Sequence, residues 1–260
     1  MARAFPGQLD AAGASAFTSR THPPSIVADM PLPSQRTVAA RDRSSFSILT
    51  VCTGNICRSP QAEHLLRLRF DTAFGAQAAD VVVVGSAGTL GYDGQRIDEQ
   101  ARAEAERLGA LHAAGHRARR LRPDFIERAD LILGMSREHR GAAASMLPSA
   151  NRRAFALVEF ARVLEALAQG RVDVGIGLDR SGLAPFMHSV VEAAATARGL
   201  VAPPHSRVED DIIDPYRLSA DVYRQSADAV QLWVGRTMQA LTTLAGQPFP
   251  DGAGSQSRLP

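Results

Sequence analysis

The sequence contains no lysine: all 29 of its basic residues are arginine. Against 27 acidic residues they leave a formal net charge of +2. The arginines therefore express a compositional bias; a nucleic-acid footprint would need a basic cluster interleaved with aromatics, or a binding motif. Cysteine is nearly absent as well. The two present, Cys52 and Cys57, share one short stretch, which excludes a disulfide-built secreted scaffold and points to a reducing compartment, the cytoplasm. No run approaches the ~18 consecutive apolar residues of a membrane-spanning helix, and the N-terminus has neither the basic start nor the apolar core of a signal peptide. What is there, 45% hydrophobic and 22% charged over 260 residues, suits a globular chain with one large domain and appendages.

Residues 1–45 carry Ser, Pro, Arg and Ala without sustained periodicity, and stretches such as His22-Pro23-Pro24-Ser25 bury too little to offset ordering. They are expected to form a disordered leader, with Met30 an alternative start; Asp10 and Asp29 disfavour a targeting peptide. From Phe46 strand and helix patterns alternate. Strands are expected over Phe46–Val51, Val81–Val84, Asp130–Met135 and Arg153–Leu157, and helices from near Arg58 to about Phe70 and over Ile97–Leu108, Arg137–Met146 and Val158–Ala168. Repeated strand-helix units imply an α/β fold, a single doubly wound parallel sheet flanked by helices, with ligands at the carboxyl ends of its strands.

Residues 169–207 interrupt that pattern with glycines and prolines around one helical run, Leu183–Arg198. This segment reads as an insertion in a domain spanning 46–245, and as a mobile flap beside its ligand site. Leu218–Leu244 closes the domain as a long amphipathic helix, and 246–260 is expected to be a disordered tail.

The chain is organised around Cys52-Thr53-Gly54-Asn55-Ile56-Cys57-Arg58-Ser59-Pro60, the junction of the first strand and first helix. Successive backbone N–H groups in such a turn form a concave nest, and the helix adds its positive dipole end, so an anion belongs there. Gly54 and Asn55 are the residues that best tolerate positive φ. Cys52 lies at the lip of this electropositive cup, a setting that favours a thiolate. Arg58 supplies a planar fork for bidentate phosphate binding, and Ser59 a hydroxyl for the sulfur. A Cys followed six residues later by Arg, with small or polar residues between, is the layout of a cysteine-dependent phosphatase.

The nonapeptide resembles the signature of the low-molecular-weight protein tyrosine phosphatases, and other segments extend the resemblance over 46–168 and 208–244. Ser86-Ala87-Gly88-Thr89 is similar to the family segment that supports the loop, and Tyr92 falls where the family keeps an aromatic on the pocket wall. His116-Arg117-Ala118-Arg119 resembles a family segment whose His hydrogen-bonds the loop Asn, here Asn55. Asp214-Pro215-Tyr216 is similar to the late loop that brings the general acid. Arg217 departs from members that keep a second aromatic there.

The resemblance implies that Cys52, Arg58 and Asp214 are catalytic. Thr53, Gly54, Asn55, Ile56, Cys57, Ser59, Tyr92 and Tyr216 would bind substrate, with His116 and Ser86 supporting the loop. It implies no cofactor, a tyrosine-phosphorylated protein as partner, and no nucleic-acid or membrane partner. Asp210 and Asp211 are rival acids that lack the following proline and aromatic. His112 and His116 share a four-residue spacing, but Gly115 between them and the lack of further ligands argue against a metal site. The nearest rival activity is arsenate reduction. With no Cys after Cys57, it would need an external thiol. Cys57 is either a small residue filling space or a resolving thiol for an oxidised Cys52.

Overall fold

The computed structural model describes residues 44–246. The expected leader lies outside them except for Ser44 and Ser45, and the tail beyond Gly246 lies outside them entirely. The elements are β1 (Phe46–Cys52), α1 (Arg58–Phe74), α2 (Ala78–Val81), β2 (Val82–Gly88), α3 (Glu99–Arg107), α4 (Pro123–Arg128), β3 (Leu131–Gly134), α5 (Arg137–Met146), β4 (Ala154–Ala156), α6 (Leu157–Ala168), α7 (Leu183–Ala197) and α8 (Ala220–Ala245). The strands form one parallel sheet in the order β2-β1-β3-β4, the expected α/β architecture. Chain order reverses on either side of β1, so the crevice beyond its carboxyl end is the switch point where such sheets bind ligands. Cys52 ends that strand.

Alternation along β1 sends its side chains to two cores. Phe46, Ile48 and Cys52 join a large cluster with Leu65, Leu66 and Phe70 of α1, Phe160 and Leu164 of α6, and Val230 and Val234 of α8. Leu49 and Val51 face Ile126 of α4 and Ala143 of α5. β2 runs four residues past the expected Val84 because Gly85, Ser86, Ala87 and Gly88 pair in register with Leu49 through Cys52; small residues gave no apolar pattern to read. α1 starts at Arg58, where the loop reading places the helix N-terminus, and runs past the expected Phe70 to Phe74.

The flap expectation is overturned. α7 buries Leu183, Ala184, Phe186, Met187, Val190, Val191, Ala193, Ala194 and Ala197, most of them in the same cluster as β1 and α1. Its His188 ring sits 5.0 Å from Phe46 at the amino end of β1. That is a strand length, about 20 Å, from the Cys52 end. The long-range burial partners of an apolar helix do not appear in its own sequence, so a core element read as a lid.

Arginine closes both edges of the sheet. Arg67 donates through Nε and Nη2 to the Val84 carbonyl of β2, and Arg119 through the same two atoms to Ser86. At the opposite edge Arg140 and Arg198 donate to the Ala154 carbonyl of β4. Edge carbonyls covered this way no longer offer a template for strand addition.

Candidate active site

The loop after β1 is built around the side chain of Asn55, fully buried and held at φ 56°. Its Nδ2 donates to Ser59 Oγ at 2.9 Å and Ser86 Oγ at 2.7 Å, while Oδ1 accepts the Arg119 N–H at 2.8 Å. His116 Nε2 lies 2.8 Å from the Asn55 carbonyl, which can only accept, so that nitrogen carries the proton. Ser59 Oγ takes the Asn55 amide on a lone pair, leaving its hydrogen for Cys52 Sγ at 3.0 Å. The Asn55 N–H also points at that sulfur, at 3.3 Å. Two donors therefore converge on Cys52 Sγ. Gly88 lies so close beneath that an added Cβ would stand 2.6 Å from the Thr53 carbonyl, and the N–H groups of Thr89 and Leu90 tie the segment to the carbonyls of Cys52 and Thr53.

Arg58, 4% exposed, donates from Nη1 to the Ile212 carbonyl at 3.1 Å and from Nη2 to Thr53 Oγ1 at 3.3 Å, and Nη2 also pairs with Asp214. Its Nε–H is buried with no partner among the described residues. Ile212 in turn donates its N–H to the Met135 carbonyl at 2.9 Å, fixing the late loop to the end of β3. Asp210 pairs with Arg162, and Asp211 accepts the Arg137 N–H. Of the three neighbouring acids only Asp214 reaches the cavity of about 180 Å³ over the loop. Cys52, Thr53, Gly54, Ile56, Cys57 and Arg58 floor that cavity, with Leu90, Tyr92 and Tyr216 as walls. Larger cavities, of about 510 and 460 Å³, lie elsewhere and are lined by no cysteine. Among the described residues no group of three His, Cys, Asp or Glu is placed to hold a metal ion.

The sequence-predicted residues thus come together, but the layer behind them went unread. Glu63, buried in α1, accepts from Ser86 Oγ, pairs with Arg67 at 2.6 Å and lies 3.9 Å from His116 Nδ1. His139 of α5, 3% exposed, places Nε2 3.0 Å from Thr53 Oγ1 and Nδ1 2.7 Å from Ser136 Oγ. Burial, reinforced by Arg58, pushes its pKa down to about 4, so the ring is neutral. Burial also lowers His116, and burial with Asp98 nearby pushes the Cys57 thiol well up, keeping it protonated at neutral pH. Ser136 before the α5 helix was readable as an N-cap; nothing local marked His139 or Glu63 as loop neighbours.

Residues 47–202 match the family described as low molecular weight phosphotyrosine protein phosphatase. That match takes in α7 and stops short of Asp214. A low molecular weight protein-tyrosine-phosphatase of Streptomyces coelicolor is 33% identical over 169 residues, covering 64% of this chain and 97% of the relative. A protein-arginine-phosphatase of Geobacillus stearothermophilus is 31% identical over 115 residues, 44% of this chain and 71% of the relative. Among solved structures, the low molecular weight protein tyrosine phosphatase of T. tengcongensis shares the fold, with a TM-score of 0.51 and 24% identity over 75% of this chain and 99% of that one.

Proposed function

This chain belongs to the low molecular weight phosphotyrosine protein phosphatase family, and on that premise we propose that it hydrolyses phosphotyrosine in proteins through a phosphocysteine on Cys52. The observation that carries the reading is the Arg58 Nε–H, buried and without a partner among the described residues, on the arginine that closes a loop whose sulfur receives two hydrogen bonds. A phosphoryl dianion supplies the acceptors that this donor lacks. Phosphoryl transfer spreads charge over the equatorial oxygens, so the loop N–H groups and the guanidinium stabilise the transition state more than the ground state.

Asp214 now pairs with Arg58 Nη2. A dianion taking that nitrogen turns the carboxyl toward the leaving oxygen. In its protonated form Asp214 gives its proton to the phenolic oxygen as the S–P bond forms and the P–O bond breaks; a phenol of pKa ~10 needs that proton. The resulting carboxylate then removes a proton from water attacking phosphorus, and the thiolate leaves with both bonding electrons. Leu90, Tyr92 and Tyr216 on the cavity walls suit an aromatic ring. Two reduced thiols fit a cytoplasmic setting, and no helix among the described residues is long and apolar enough to cross a membrane.

The test is steady-state kinetics on matched phosphotyrosine and phosphoarginine peptides, with arsenate reduction by an external thiol run in parallel. Turnover of the phosphotyrosine peptide, lost in Cys52→Ser, is expected. A preference for phosphoarginine, or arsenate reduction alone, overturns the reading.

A further inference from the structure

Thr53 Oγ1 lines the catalytic cavity and is held from two sides, by Arg58 Nη2 at 3.3 Å and by His139 Nε2 at 3.0 Å. Ser136 Oγ accepts the His139 backbone N–H at 3.4 Å and stands 2.7 Å from Nδ1. Its hydrogen and its second lone pair both remain for Nδ1. A neutral imidazole carries a single N–H; when the Ser136 hydrogen goes to Nδ1, that N–H sits on Nε2 and donates to Thr53. In that tautomer guanidinium and imidazole fill both lone pairs of the Thr53 oxygen, and its own hydrogen is free for an acceptor in the cavity that Thr53 lines.

We propose that Ser136 and His139 are positioning residues that aim the Thr53 hydroxyl, through the Nε2–H tautomer of His139, as an added donor to a phosphoryl oxygen bound in the loop. The inference rests on the phosphatase reading above. The loop itself supplies backbone donors and Arg58. This chain reaches beyond it to α5 for one more, and the same oxygen braces the Nη2 arm of Arg58 when the carboxyl of Asp214 departs. Removing one preorganised donor from an oxyanion site costs about 10²- to 10³-fold in kcat.

The experiment compares wild type, Thr53→Val, His139→Ala, His139→Gln and the Thr53→Val/His139→Ala double variant. Each is assayed for kcat/KM on an aryl phosphate and for inhibition by inorganic phosphate. Thr53→Val and His139→Ala should each lower kcat/KM and weaken phosphate inhibition by about tenfold or more, and the double variant should match Thr53→Val within about twofold, because His139 acts through that hydroxyl. His139→Gln, which retains an N–H donor, should recover most of the loss. Losses that multiply in the double variant, or a Thr53→Val enzyme with wild-type kinetics, overturn the proposal. Should His139→Ala fail to fold, the side-chain 15N shifts of His139 in the wild-type protein still decide it: a proton on Nε2 is required, and one on Nδ1 contradicts it. A wild type without aryl phosphatase activity would sink the phosphatase reading itself, whereas an active wild type without the coupling sinks this inference alone.

Discussion

Asp214 is the only one of three adjacent acids that reaches the cavity, because Asp210 is spent on Arg162 and Asp211 on the Arg137 backbone. Asp214→Asn should therefore cut turnover of phosphotyrosine by about 10²- to 10⁴-fold and turnover of an activated nitrophenyl ester much less, since only the poor leaving group needs the proton. A leaving-group series measured on this variant decides the matter; an equal loss across the series assigns the acid elsewhere. His139 makes a second prediction at this scale. Its pKa falls from 6.5 to about 4 on folding, so the unfolded chain binds the proton first and stability drops as pH falls through that window. The contribution is on the order of 3 kcal/mol at the lower end. Urea denaturation at pH 7 and pH 4.5 should show the difference shrinking in His139→Gln, though His64 and His116, also lowered by burial, keep part of it. An unchanged pH dependence contradicts the assignment. Cys52, Asn55, Arg58 and Ser59 could be read from the sequence because their chemistry is contiguous along nine residues. His139 could not, because it meets Thr53 across 86 residues of chain.

Elements with their own periodicity and caps were readable to within a few residues: α5 runs Arg137–Met146 as expected. β2 was shortened because its carboxyl half is Gly85, Ser86, Ala87 and Gly88, small residues of which Gly88 packs against the loop backbone and Gly85 against the Arg119 guanidinium. α7 was located correctly and its role misread. The structure makes it core, so Phe186→Ala, at a fully buried site, should cost about 3–5 kcal/mol in urea denaturation. Replacing 183–197 with a Gly/Ser linker should abolish folding. A linker variant that still hydrolyses small aryl phosphates would restore the flap reading.

Across the whole molecule, a lysine-free chain uses arginine for tasks of different kinds. Arg58 serves the anion site, while Arg67, Arg119, Arg140 and Arg198 seal the two sheet edges. Composition signalled the bias without revealing either use, because both depend on which carbonyls and cavities the fold brings within reach of a fork. The strand order β2-β1-β3-β4 was not legible in the sequence, because right-handed crossovers fix the hand of each strand-helix unit and not which strands become neighbours.

The central claim is that Cys52 Sγ carries the phosphoryl group during turnover. Rapid acid quench of Asp214→Asn mixed with a radiolabelled phosphotyrosine peptide, followed by peptide mapping of the trapped protein, measures it directly. The account predicts label on the peptide containing Cys52, formed faster than phosphate is released and absent in Cys52→Ser. Label on any other residue, or phosphate release with no labelled protein at any time, would contradict it.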